Sequence, residues 1–200
     1  MKGTKTAKAW QDHLLKVVGS DRFLKMRGLN NEIPFFICAY APHQAVEMDD
    51  VARNVRRQLG HGGITVLDIN LYDLSLSLLQ DRGIWEQILE QEPSIDKGEL
   101  LELLQGVLDT NDHLIPTIAR RLASEAHDVL FLTGIGEVFP YIRSHNVLNN
   151  LQSTAKDKPT VMFFPGSYTH SLASGAELVL FGTQSDDKYY RAFNIEHYEV

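Results

Sequence analysis

Four short runs in this chain are apolar at nearly every position, and the segments between them repeat at helical spacing. Ile33 to Cys38 is the first run, closed by Tyr40, Ala41 and Pro42. Ile64 to Ile69, Asp128 to Leu132 and Thr160 to Phe164 are the second, third and fourth. A strand that is apolar on both faces needs cover on both. The pattern therefore predicts an α/β fold, a mostly parallel sheet flanked by helices. The helix from about Gln44 to Leu59 carries Val46, Met48, Val51, Val55 and Leu59, with acids early and arginines late, an order that suits the helix dipole. Weaker runs, Glu177 to Phe181 and Tyr190 to Ile195, add late strands, antiparallel at one edge.

The spacing is uneven. Nearly sixty residues separate the second and third runs, far beyond the dozen or so that a simple crossover requires. They read as helices. Asn70 caps one that runs through Leu71, Leu74 and Leu78 to Arg82. Gly83 breaks it, Pro93–Ser94 breaks the next, and Asp112 caps a later one through Ile118 and Leu122. Glu99 to Leu108 is leucine-rich around much of its circumference. Such helices must bury themselves on the sheet or against another protein. The expected organisation is one domain over 1–200 with a helical insertion over 70–126. A further helix follows Gly136, with Pro140 in its first turn. Tyr141, Val147, Leu148 and Leu151 share one of its faces, and Arg143, Asn146 and Asn150 form a stripe on another.

With 44% hydrophobic residues in 200, a substantial core needs no covalent staple, and the single cysteine, Cys38, rules out an internal disulfide. It lies in an apolar run, as buried thiols do. The start, MKGTKTAKAWQ, is too polar for a signal peptide. No apolar run approaches the ~20 residues of a membrane span. A cytoplasmic protein is expected. The net charge of −7 argues against a main role in gripping duplex DNA, which calls for a basic face.

Alternating strands and helices invite a nucleotide-binding reading, yet the first strand leads into CAYAPHQ rather than GxxxxGK[ST]. The fold is thus nucleotide-binding-like in outline but degenerate, with no phosphate loop. Thr133–Gly134–Ile135–Gly136 is a flexible turn that either cradles an anion or only makes a tight strand-to-helix connection. Eight scattered histidines and one cysteine give no zinc spacing. His43, Asp68 and His170, all near strand ends, are the one through-space metal arrangement. Gly166–Ser167 lacks the GxSxG frame of a nucleophile elbow, and Pro165 to His170 reads as a hydrogen-bonded loop after the fourth run. No cofactor, metal or catalytic residue is predicted.

In open parallel sheets, ligands and partners gather beyond the carboxyl ends of the strands. Here those ends hold Tyr40, His43, Asn70, Gly134, Gly136, Gly166, Tyr168 and His170, with Arg143, Asn146 and Asn150 on the neighbouring helix and Arg191 between the aromatics of YYRAF. Aromatic, amide and hydroxyl groups without convergent acids suit recognition better than proton transfer.

Several segments together carry a family resemblance: FLKMRGL at Phe23, NEIPFFICAY at Asn31, LDINLYDL at Leu67, HLIP at His113, VLFLTGIGEVFPYIRSHNVLNNLQ at Val129, the stretch Ser144 to His170, and YYRAFNI at Tyr189. In these the chain resembles the BrxB family, small core subunits of the bacterial BREX phage-defence systems. The resemblance covers all but about the first twenty residues. It implies partners among other BREX proteins: first PglZ with its phosphatase-like domain, then the large BrxC ATPase and the methyltransferase. It also implies a non-catalytic adaptor role, docking those enzymes for host DNA methylation and phage exclusion. The alternative is a ligand sensor or cryptic enzyme that holds a nucleotide or other anion at Gly134, Gly136, Gly166 and the Arg143 stripe.

Overall fold

Successive residues of the first strand are buried on opposite sides, and this two-sided burial organises the fold. The computed structural model describes residues 5–27, 34–171, 175–185 and 192–200. In chain order come α1 (Ala7–Val18), α2 (Asp21–Leu24), β1 (Phe35–Tyr40), α3 (Ala45–His61), β2 (Val66–Asn70), α4 (Leu71–Asp81), α5 (Trp85–Gln91), α6 (Lys97–Val107) and α7 (Ile115–Ser124). Then follow β3 (Val129–Thr133), α8 (Ser144–Leu151), β4 (Thr160–Ser171), β5 (Gly175–Leu180), β6 (Gln184–Ser185) and β7 (Phe193–Asn194). The sheet order is β2-β3-β4-β1-β7, and each of these neighbours pairs in parallel.

On one face, Phe36, Cys38, Val129, Phe131, Val161 and Phe163 pack with the apolar sides of α1, α2 and α3. On the other, Phe35, Ile37, Leu130, Leu132, Met162 and Phe164 pack with α4, α7 and α8. Period-two alternation along each strand supplies both layers at once. The first layer is stitched by aromatic contacts: Phe23 lies 4.5 Å from Phe36, and Tyr198 meets both rings nearly edge-on. Cys38 is fully buried there, and desolvation pushes its thiol pKa up.

The helices between β2 and β3 bury unequally. Leu71, Leu74, Leu78 and Leu79 of α4 and Ile115 and Ile118 of α7 enter the core, whereas α6 contributes no fully buried residue.

Five expectations need correction. Residues 165–170 form no loop, because β4 runs on to Ser171. Beyond Pro165 it leaves β1 and pairs antiparallel with β5. Proline and glycine there read as a turn, but proline has no N–H to lose at the point where the strand changes partners, and its carbonyl accepts the Phe181 N–H at 2.9 Å. The run toward Ile195 pairs parallel to β1 rather than antiparallel. Pro140 precedes its helix instead of opening it: residues 134–142 are irregular because Ile135, Val138 and Ile142 each drop into the core. Asp109, not Asp112, caps the turn before α7, accepting the N–H groups of Asn111 and Asp112. Val46, read as part of the apolar side of α3, is 77% exposed.

Leu148, 1% exposed at the centre of α8, tests the layer. Leu148→Ala should lower unfolding free energy in urea by ~2–5 kcal/mol, while Val46→Ala should change it by less than about 0.5 kcal/mol.

Candidate functional site at the carboxyl ends of the strands

Polar side chains fix the ends of β2 and β3. Asn70 closes β2 and caps α4, its Oδ1 accepting the N–H groups of Tyr72 at 2.8 Å and Asp73 at 3.1 Å. The Thr133 hydroxyl, at the end of β3, donates to Asp68 Oδ1 at 3.2 Å, and the Arg56 guanidinium lies 3.2 Å from the other oxygen. Gly134 follows with φ +71°, where any Cβ would collide with the Asn70 amide. Asn70 and Gly134 are therefore locked together as structure.

The glycine turn is roofed. A methyl group on Gly136 would come within 2.9 Å of Pro165 and 3.0 Å of Phe181. Phe181 sits at the end of β5 with φ +54°, a left-handed conformation that costs a phenylalanine about 1–2 kcal/mol. Its ring meets Phe139 nearly perpendicular at 6.2 Å, and the Arg143 guanidinium lies 5.1 Å over the Phe139 ring. Phe181 is still 40% exposed. The result is an aromatic and arginine patch resting on a rigid turn.

Beside it opens a cleft of about 360 Å³. Ala39, Tyr40 and Ala41 form its floor at the end of β1, with Gly166 and Tyr168 of β4 on one side and Asn194 and Glu196 on another. Tyr168 holds the two sides in place, its hydroxyl donating to the Ala192 carbonyl at 2.6 Å. Burial pushes the Tyr168 phenol up to about 12, and that of Tyr40 higher still. Lys5 lies at the rim, 3.7 Å from Glu196 and 4.7 Å over the Trp10 ring.

Two carboxyl groups near the turn are perturbed. Asp49 and Glu137 both titrate above the ordinary carboxylate range. Partial desolvation is the first cause for each. Asp50 and Asp68 add repulsion at Asp49 against the pull of Arg53, and Asp49 and Asp73 add it at Glu137. A phosphate brought to Gly134–Gly136 would meet the neighbouring Glu137 carboxyl and the Phe181 ring.

The predicted residues thus divide. Tyr40, Gly166 and Tyr168 meet in the cleft, and Asn70, Gly134 and Gly136 meet in the roofed turn. His43 is exposed in the 3-10 turn after β1. The stripe of Arg143, Asn146 and Asn150 does not form: Arg143 stands before α8 and turns to Phe139, and Asn150 spends its amide on the Asn146 carbonyl at 2.7 Å. His170 pairs with Ala176 in the hairpin. Its side chain and the whole of Arg191 fall outside the described residues. Among the described residues no cluster of His, Cys, Asp or Glu is arranged to hold a metal ion. Sequence reasoning missed Phe139 and Phe181. The available signal was a large apolar residue standing directly before Gly182 and Thr183, where a turn would leave it at the surface.

A family model described as BREX protein BrxB matches residues 67–195. A BREX protein BrxB from Bacillus cereus (strain H3081.97) is 34% identical over 188 residues, 92% of this chain and 94% of the relative. Another, from Escherichia coli O9:H4 (strain HS), is 29% identical over 178 residues, 89% and 86% of the two chains. No solved structure matches the chain.

Two outcomes test the geometry. Any Cβ on Gly166 would overlap the Val179 carbonyl oxygen, so Gly166→Ala should strip hydrogen-exchange protection from β5 while the amides of β2 and β3 stay protected. The raised Glu137 carboxyl takes up its proton more readily in the folded chain than in the unfolded one. Its effect is therefore destabilising above the folded pKa and fades as pH falls through it. Glu137→Gln should raise the melting temperature near neutrality, and the gain over wild type should shrink on acidification.

Proposed function

The chain belongs to the BrxB family of BREX phage-defence proteins, and from that premise we propose that it is a non-catalytic docking subunit of a BREX complex. The observation that carries this reading is Phe181: an aromatic side chain, 40% exposed, held in a costly backbone conformation over Gly136 and beside Phe139 and Arg143. Rigid aromatic and arginine side chains are the groups that dominate protein interfaces, because they bury much area for little lost freedom. The same ring occupies the space where a glycine turn would receive a phosphate, and the carboxylates of Glu137 and Asp49 oppose an anion there. Recognition of a protein is favoured over phosphate chemistry on both counts.

The partners proposed are other BREX subunits, PglZ first and then BrxC or the methyltransferase, positioned for host DNA methylation and phage exclusion. A cytoplasmic site of action belongs to the same proposal. Among the described residues no helix is long and apolar enough to cross a membrane. A second reading, a small-ligand sensor, rests on the cleft between Tyr40 and Tyr168. A nucleotide or other small anion that raised the melting temperature in a concentration-dependent manner would favour it.

Phe181→Gly relieves the left-handed strain while deleting the ring, so its melting temperature should stay within a few degrees of wild type. Capture of co-expressed BREX subunits should fall by about tenfold or more. Arg143→Ala should weaken capture in the same direction. Undiminished capture by both folded variants would remove the docking role from this patch.

A further inference from the structure

The acidity of the chain is not spread evenly. Residues 84–108, spanning α5 and α6, hold six carboxylates against one lysine, within a chain whose net charge is −7. All six are exposed, and none forms an ion pair with a described residue. Asp96 is occupied in capping α6 through the Gly98 N–H at 2.7 Å. The other five make no hydrogen bond or ion pair with a described residue.

The apolar residues of the same layer are only half used. Leu100, Leu103, Leu104 and Val107 recur at helical spacing and lean on the core, yet none is fully buried. Leu89 is 43% exposed. Ile95 and Leu101 are half-buried but pack against neither core. This layer borders the aromatic patch, since Gln105 Nε2 approaches the Pro140 carbonyl at 3.5 Å, beside Phe139.

We infer that α5 and α6 extend the docking surface, and that its occupant is a protein whose apolar groove is rimmed by lysine and arginine. Charge complementarity selects that occupant. A second copy of this chain would bring two sets of carboxylates together, and duplex DNA or an anionic lipid surface would be repelled in the same way. A basic rim instead finds Glu90, Glu99 and Glu102 unpaired and already placed, while Leu89 and its neighbours lose their water. The inference rests on the docking reading above and supplies the chemistry of the partner.

The test uses the full chain and each of the other subunits of its BREX system, purified singly. The variants are the triple Glu90→Lys, Glu99→Lys, Glu102→Lys, and separately Leu89→Asp. All the altered positions are exposed, so unfolding curves should match wild type, and a match is required before binding is read. Binding to one subunit should weaken as salt rises. The triple variant should bind that subunit about tenfold or more weakly with a flatter salt dependence, and Leu89→Asp should also bind more weakly. Hydrogen exchange over 84–108 should slow in the wild-type complex. Wild-type affinity and salt dependence in both variants, with no added protection over 84–108, would overturn the inference. If Phe181→Gly alone abolished that binding, the docking reading would stand without it. A wild-type chain that binds none of the subunits overturns both. Self-association that strengthens in the triple variant would instead mark the face as one kept apart by its own charge, and would also overturn the inference.

Discussion

The strand β4 is the constraint on which the rest of the structure depends. Over residues 160–165 it is buried on both faces and pairs in parallel with β1 on one side, and with β3 on the other over residues 160–162. A strand in that position has no water for its backbone, so both neighbours must supply the missing hydrogen bonds. This need sets the order of the sheet and forces helices onto both faces. It also dictates what happens at Pro165, where the strand leaves its parallel partner and the Phe181 N–H arrives to satisfy the carbonyl. Gly166 then lets β5 approach closer than any side chain would allow.

The surface chemistry follows from that change of partner. Because β4 continues as a hairpin, β5 delivers Phe181 above the turn between β3 and α8. The glycine turn becomes a platform for an aromatic ring. Nearby carboxylates, partly desolvated and mutually repelling, reinforce the same outcome. A mostly parallel α/β sheet thus presents, at the carboxyl ends of its strands, an aromatic ring over the glycine turn with an arginine beside it. The chain that carries it belongs to a phage-defence family.

The strands of the parallel core were legible because burial on both faces leaves an uninterrupted apolar run, and β1 to β4 begin within two residues of those runs. Asn70 as a helix cap was legible because a capping amide acts within three residues of its own position. The extension of β4 was not: its alternation of buried Tyr168 with exposed Ser167 and Thr169 is a strand pattern, but Pro165 and Gly166 outweighed it locally. Arg143 was misplaced for a related reason. Its assignment to a helical stripe assumed that the helix began at Pro140, whereas three buried side chains hold the preceding segment irregular.

The order of hydrophobic and polar residues by itself determined an α/β chain with a buried parallel sheet. These are properties of local periodicity and composition, which do not depend on what lies across the fold. Only the tertiary structure decided that Tyr40 and Tyr168 line one cleft, that Phe181 covers Gly136, and that Asn70 closes against Gly134. Those pairs lie tens to more than a hundred residues apart in the chain. Their meeting depends on strand order and register, which are set by backbone hydrogen bonding between β4 and its neighbours rather than by any pattern within one segment.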